Sequence, residues 1–574
     1  MPHNTIKMKT MKKRICVILG ALCLTGMLSV SGQVSNAEPA DPHPGDQSGW
    51  LSQKTTKVGW GSVDVRYRQC QWPEFAKEPV LHGWKGEHVC AQAVIAAPKA
   101  IGEVKVEVSD LKKGSKTIPS SCVSRYFVRY VLTDTYSDRK DSLLVADRLD
   151  ASPSASVSAK TVRPVWLNVS IPRDAEAGLY KGTVTVTCDG KKYKLPYKVE
   201  VVDRVLPAPA EWAFHLDLWQ NPYAVARYFG VPLWSKEHFD RMRPLLTWLA
   251  DAGEKVITTS IIEHPWNSQT YDPFESMIAK MKQLDGTWRY DYTVFDTWVA
   301  FAMECGITEQ IDCYTLVPWS YKFEYYDCAT NSVKHVACKP GEQAYEDLML
   351  PFLKDFAAHL KAKGWFERTC IAMDERPMDQ LRAAWDLVRR ADAGYRIEGA
   401  VNYSPEVVSM MYDISLGYRH ANLPAEVVKQ RADDNLRTTF YTCCNPDHPN
   451  TFLSSPLAES AFLGWHALAT GYDGYLRWAY CSWPADPCAD SRFGTWTGGD
   501  TYLVYPEAPS LRWERLVEGI QQYEKVRLLK SALTPAQQEE LEAVLEPMRP
   551  SHPDASTDFA ALVASGKAFI RKVE

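Results

Sequence analysis

The chain has 574 residues, too many for one ordinary domain, and its 65 basic and 70 acidic residues leave a net charge of -5. This near-neutral balance gives no electrostatic reason to expect a nucleic acid or an anionic membrane surface as partner. The 20 Trp and 28 Tyr, many beside Gly, Pro, Asn and Asp in loop-like sequence, favour flat, partly wet contact surfaces such as sugar rings use.

In chain order, residues 1–37 carry the pattern of an export signal. Lys7, Lys9, Lys12, Lys13 and Arg14 precede the apolar run from Ile15 to Val30, and Ser35-Asn36-Ala37 offers a cleavage site. The run is interrupted by Gly20 and Gly26 and is short for a membrane span, so none is expected. Ala21 and Leu22 before Cys23 do not match a lipid-attachment motif, which favours a soluble secreted or periplasmic product over an anchored one. Removal of the signal leaves 13 of the 15 cysteines, an odd number that cannot pair completely. Cys328 and Cys338 flank a hairpin-like segment where a bridge could form. No Cys or His pair has metal-ligand spacing, and the adjacent Cys443-Cys444 is not a zinc signature. Neither a metal nor another cofactor is expected.

Residues 38–206 show short alternating apolar runs: Val63 to Tyr67, Val89 to Ile95, Val104 to Val108, Tyr126 to Leu132, Val165 to Val169, Gly182 to Thr187 and Tyr193 to Val201. Period-two alternation at this spacing predicts an antiparallel β-sandwich. Cys188-Asp189-Gly190-Lys191 reads as a hairpin turn because Asp-Gly tolerates positive φ. Asp203 to Ala210 reads as a linker, its prolines keeping the chain extended.

From 207 to 530 strand-like runs alternate with helical stretches: Trp212 to Trp219, Lys255 to Ile262, Gln310 to Val317, Thr369 to Asp374, Arg396 to Asn402, Tyr412 to Gly417, Arg437 to Cys443 and Tyr475 to Tyr480. Eight β-then-α units predict a multidomain chain with an α/β (β/α)8 TIM barrel behind the sandwich, a doubly wound open sheet being the alternative. Ser235 is the expected cap of one helix, with Pro244 inside it, and Ser455-Pro456 opens another that Gly471 closes. Ser510 to Leu529 is the eighth helix. In the helical extension 531–574, Thr534-Pro535-Ala536-Gln537 forms a capping box.

The fourth apolar run ends abruptly in Asp374-Glu375-Arg376-Pro377. In a barrel these acids stand at the C-terminal ends of the strands, where barrel active sites are built. The alternative is that Asp374 caps the following helix and Glu375 is solvated. His215, Trp219, Trp319, Asn402, Tyr403, Tyr441, Trp478 and Trp483 lie in or near the ends of the other strands and, with Asp500 in the stretch Gly498 to Pro506, are candidate substrate contacts. Two carboxyls suit glycoside hydrolysis, one protonated and one ionised. A barrel glycosidase with its own nucleophile often carries it on strand seven, and Thr438 to Asn445 ends without an acid. The substrate would then supply the nucleophile, as the carbonyl oxygen of a 2-acetamido sugar can. Glu375 would protonate the leaving oxygen, and Asp374 would hold the acetamido N–H.

Met373 to Pro377, Tyr475-Leu476-Arg477-Trp478 and Gly498 to Pro506 resemble the motifs of glycoside hydrolase family 123, the β-N-acetylgalactosaminidases of gut and soil bacteria. The resemblance spans about Trp212 to Leu529, and the sandwich matches that family's layout. It implies Asp374 as the acetamido-orienting residue, Glu375 as the general acid/base, and galactosamine as the preferred sugar. The residues alone reach only a 2-acetamido glycan. A broader β-N-acetylhexosaminidase, a non-catalytic carbohydrate-binding protein and a metal-dependent barrel hydrolase are the alternatives.

Overall fold

A computed structural model describes residues 37–267, 269–553 and 556–574. The expected export signal, apart from Ala37, lies outside the described residues.

The N-terminal part is a two-sheet sandwich. One sheet orders Lys57–Gly61, His88–Ala97, Thr161–Ser170, Val123–Thr133 and Leu143–Asp150 side by side. The other is built around Val80–Lys85, Lys191–Val205, Gly178–Cys188, Ile101–Val108 and Ser154–Val157. Alternation drives the packing: Tyr180, Val184 and Val186 point into the core shared with Ala93, Ile95, Val165 and Leu167. The Asp-Gly hairpin forms, with Cys188 opposite Lys191 and positive φ at both Asp189 and Gly190. Three features differ from the sequence-based expectation. Val63 to Tyr67 is not a strand; the edge strand is Lys57–Gly61, closed by Trp60 over Tyr197. Val80–Lys85 joins Lys191–Val205 in parallel within an otherwise antiparallel arrangement. The expected linker is partly sheet, because Lys191–Val205 continues through Asp203 and Arg204.

All eight expected barrel strands form. They are β1 (His215–Leu218), β2 (Val256–Ser260), β3 (Gln310–Tyr314), β4 (Thr369–Met373), β5 (Arg396–Val401), β6 (Asp413–Gly417), β7 (Arg437–Tyr441) and β8 (Gly474–Arg477). Every neighbouring pair is parallel, in the order β1-β8-β7-β6-β5-β4-β3-β2. The ring closes where Leu216 bridges Glu254 and the Lys255 N–H donates to the Leu216 carbonyl at 3.0 Å. A barrel therefore replaces the open-sheet alternative. Its outer faces are continuous with the main core, where Leu216, Ile257, Ile311, Ile371, Ile397, Ile414, Phe440 and Tyr475 pack under the helices.

A four-stranded sheet of Ala279–Lys282, Trp288–Asp291, Lys322–Asp327 and Ser332–Ala337 rises from the loops after β2 and β3. Cys328 and Cys338 flank its outer hairpin, but both thiols are free, as are all 13 described cysteines. Ser235 caps Lys236–Asp251 by accepting from the His238 N–H at 3.2 Å, and Pro244 lies inside that helix. Pro456 is itself the extended N-cap of Leu457–Thr470, so Ser455 does not serve as its cap. Gly471 closes that helix in the left-handed region. The Thr534 capping box is formed. Pro535–Leu545 and Phe559–Val573 pack on Leu457–Thr470 through Phe462, Trp465, Phe559 and Phe569. No helix among the described residues is long and apolar enough to cross a membrane.

Candidate active site

Strand β4 is wholly buried up to Met373, and the chain then emerges as Asp374 and Glu375, both half-buried. The helix that follows, Met378–Ala391, is capped by extended Pro377 without a side-chain bond, so Asp374 is free of a capping role. A cavity of about 160 Å³ opens over these acids. It is lined by Trp219, Trp266, Trp319, Trp478, Trp496 and Tyr441, with Gln269, Ala400, Cys443, Cys444 and Leu476 between them. A larger cavity of about 350 Å³ between the sandwich and the C-terminal helices shares no residue with it.

Each acid is held by a separate donor. The Trp319 indole N–H donates to Asp374 Oδ2 at 2.7 Å, and the Glu375 backbone N–H donates to Asp374 Oδ1 at 2.8 Å. The Tyr441 hydroxyl, at the end of β7, donates to Glu375 Oε1. Burial pushes the Asp374 carboxyl up to about 6, against the pull of its two hydrogen bonds. Burial and the Glu375 charge push the Tyr441 phenol well up, keeping it a donor. The Arg376 guanidinium stacks at 4.7 Å over both Trp319 and Tyr321, which fixes the indole that holds Asp374.

The aromatic walls are braced from behind. Trp219 stacks on Trp266 at 4.9 Å and touches Tyr314 at 4.3 Å. Trp478 meets Trp496 edge to face at 5.7 Å, and its N–H donates to Asp500 Oδ1 at 3.0 Å. Asp500 is buried and paired with Arg477 at 2.9 Å. The Trp496 loop is clamped by the sandwich, because Arg139 donates to the Gly494, Thr495 and Trp496 carbonyls. The Cys443 and Cys444 sulfurs stand 3.8 Å apart on the cavity wall.

Of the residues singled out in the sequence, Asp374, Glu375, Trp219, Trp319, Tyr441 and Trp478 meet in this cavity, and five do not line it. His215 is buried inside the barrel, 3.0 Å from Asp413, whose charge outweighs burial and raises the imidazole pKa. Trp483 is core, packed on Tyr228 and Phe229 with its N–H donated to the Val504 carbonyl at 2.7 Å. Asp500 supports Trp478 from behind instead of facing the cavity. Asn402 and Tyr403 are exposed beyond the end of β5, where the chain turns into the helix capped by Ser404. Trp266 and Trp496 were missed because they sit in loops between elements. Their placement beside Pro265 and within Gly494 to Gly499 was the available signal.

Beneath the ring of aromatic faces, the paired acids can give or take a proton and accept a hydrogen bond from a bound group. Two family models match: the glycoside hydrolase 123 catalytic domain over residues 219–529, and the glycoside hydrolase 123 N-terminal domain over residues 60–188. No curated protein sequence matches. Among solved structures, a family 123 glycoside hydrolase from Clostridium perfringens, studied for glycolipid glycan hydrolysis, is 27% identical with a TM-score of 0.84. That similarity covers 90% of this chain and 97% of the other. A β-glucuronidase 3 from Bacteroides uniformis is 10% identical with a TM-score of 0.29, covering 82% of this chain and 51% of the other, too distant to bear on function.

Proposed function

This chain belongs to glycoside hydrolase family 123, and from that membership we propose that it is a retaining, exo-acting β-N-acetylgalactosaminidase working through the substrate's own acetamido group. The observation that carries this reading is the pairing of Asp374 and Glu375 at the end of β4 with a tyrosine, not an acid, at the end of β7. The acetamido carbonyl oxygen attacks the anomeric carbon while the Glu375 carboxyl passes its proton to the leaving oxygen. Asp374 accepts the acetamido N–H and balances the positive charge of the oxazolinium ion. Glu375 then takes a proton from water, which bonds to the anomeric carbon from the face the leaving group vacated, breaks the oxazolinium C–O bond and restores the β configuration. The cavity of about 160 Å³ is on the scale of a single sugar ring, which supports exo action. Preference for galactosamine rests on the family alone, and the N-terminal signal supports export.

The test sets aryl β-N-acetylgalactosaminide, the corresponding glucosaminide and the unacetylated galactoside side by side. The expectation is cleavage of the first and none of the last. Glu375→Gln should cripple substrates with poor leaving groups far more than activated aryl glycosides, whereas Asp374→Asn should depress both. Equal cleavage of the galactoside lacking the amide would overturn the mechanism.

A further inference from the structure

Beneath the cavity lies a second polar constellation that the proposed reaction does not use. Asp217 on β1, Asp312 on β3 and Glu398 on β5 bring carboxylate oxygens within 4.8 Å of one another inside the barrel, and all three are buried. They come from alternate strands, the pattern that fills one interior layer of such a barrel, where bulky aliphatic side chains ordinarily sit. Trp219 and Ala400, two residues beyond Asp217 and Glu398, line the cavity above. The carboxylates therefore form the layer directly under its floor.

The surrounding groups leave this layer short of positive charge. Asp413 has His215 at 3.0 Å, and the Gln310 amide donates to both Asp413 and Asp312. Among the described residues, Asp217 Oδ1 and both oxygens of Glu398 make no hydrogen bond of regular geometry, and no Lys or Arg forms an ion pair with any of the three acids. A fourth side chain is independent of the carboxylate cluster. The Tyr314 hydroxyl, 0% exposed and without a hydrogen bond of regular geometry, lies beside Glu398, its nearest acid, and near Asp217 and Asp312. Buried carboxylates and a hydroxyl converging on one point offer their oxygen lone pairs to a cation, the alternative being carboxyls that keep their protons.

We propose that Asp217, Asp312 and Glu398 bind a divalent cation of calcium's size inside the barrel, one layer below the sugar cavity. An all-oxygen ligand set selects a hard cation over zinc or copper. Oxygens within 4.8 Å of one another can share one ion, and a buried cage made only of protein oxygens suits calcium, since magnesium keeps several of its waters. Three carboxylates offer up to six oxygens, with Tyr314 as a further neutral donor. The ion would hold β1, β3 and β5 together under Trp219, so it would order the cavity floor without touching substrate.

The test is independent of the hydrolytic reading. The full chain, purified without chelator, is assayed for metal by elemental mass spectrometry. It is then stripped and titrated with terbium, whose emission the Trp219 indole would sensitise. The expected results are one calcium per chain, saturable terbium emission displaced by calcium, and a Tm lowered by several degrees on stripping and restored by calcium. Glu398→Gln should abolish the terbium signal. If that variant does not fold, metal content and the calcium-dependent Tm of the unmodified chain decide. Sodium or potassium in place of calcium would overturn the divalent assignment. Absence of stoichiometric metal, with a Tm indifferent to calcium and chelator, would overturn the site and leave the carboxyls sharing protons.

Discussion

At the scale of single residues, the two acids differ in what holds them. Asp374 is oriented by an indole N–H, and Glu375 by a phenol. A raised carboxyl is ionised only above its shifted value, so Asp374 loses its charge as pH falls through about 6. If it must be ionised to steady the oxazolinium ion, kcat/KM falls on the acid side below about pH 6, and Asp374→Asn removes that limb along with most of the activity. Trp319→Phe keeps the ring but deletes the donor. A hydrogen bond to a charged group contributes about 1.5–3 kcal/mol, so the expected loss in kcat/KM is about 10- to 150-fold. Because the N–H favours the ionised carboxyl, its removal also shifts the acid limb to higher pH. A Trp319 that only fills space would leave the limb where it was. The Asp-Glu pair was legible because an apolar run ending in two acids and a proline is unusual. His215 was misplaced because strand alternation gives the side of a sheet and not the depth along it, and Trp483 because the loop after β8 folds back onto the core.

Between elements, contact distance sets what a position tolerates. The helices Leu457–Thr470 and Leu511–Lys530 touch backbone to backbone, since a Cβ at Gly464 would stand 2.3 Å from the Gly519 carbonyl oxygen. One at Gly519 would stand 2.3 Å from the Ala461 oxygen. Neither contact involves a flexible side-chain end that could move aside. Gly519→Ala should therefore cost about 1–3 kcal/mol as overpacking, read as a lowered Tm with the far-UV spectrum retained. The barrel strands were recoverable from sequence because each is a short apolar run with both faces covered. The four-stranded sheet above β2 and β3 was not. Its strands are four to six residues long, half exposed, and paired across loops that sequence order separates.

For the whole molecule, the sandwich and barrel share buried charge. Asp147 of the sandwich meets Arg66 at 2.9 Å and barrel Arg512 at 3.0 Å, and accepts from the Tyr505 hydroxyl at 2.8 Å. Burial opposes its charge, but Arg512 and Arg66 prevail and hold its pKa below the usual carboxylate range. The stabilisation is complete above the unfolded carboxylate pKa near about 4 and is lost as pH falls through the lower folded value. Asp147→Asn leaves two buried guanidinium groups uncompensated and should cost about 3–5 kcal/mol. Urea midpoints at neutral pH and near pH 3 check this, with the variant losing less stability between them than the unmodified chain.

The fold class and the acid pair were written in the sequence because local periodicity and an interrupted apolar run are properties of neighbouring residues. What only the tertiary structure decided is which distant aromatics meet over those acids. Trp266 and Trp496 reach the cavity from loops, one of them clamped by Arg139 of the other domain. It also decided that Asp217, Asp312 and Glu398, nearly two hundred positions apart at the extremes, share one layer inside the barrel. Strand tilt and register set that layer when the ring closes, and no span of sequence shorter than the barrel encodes it.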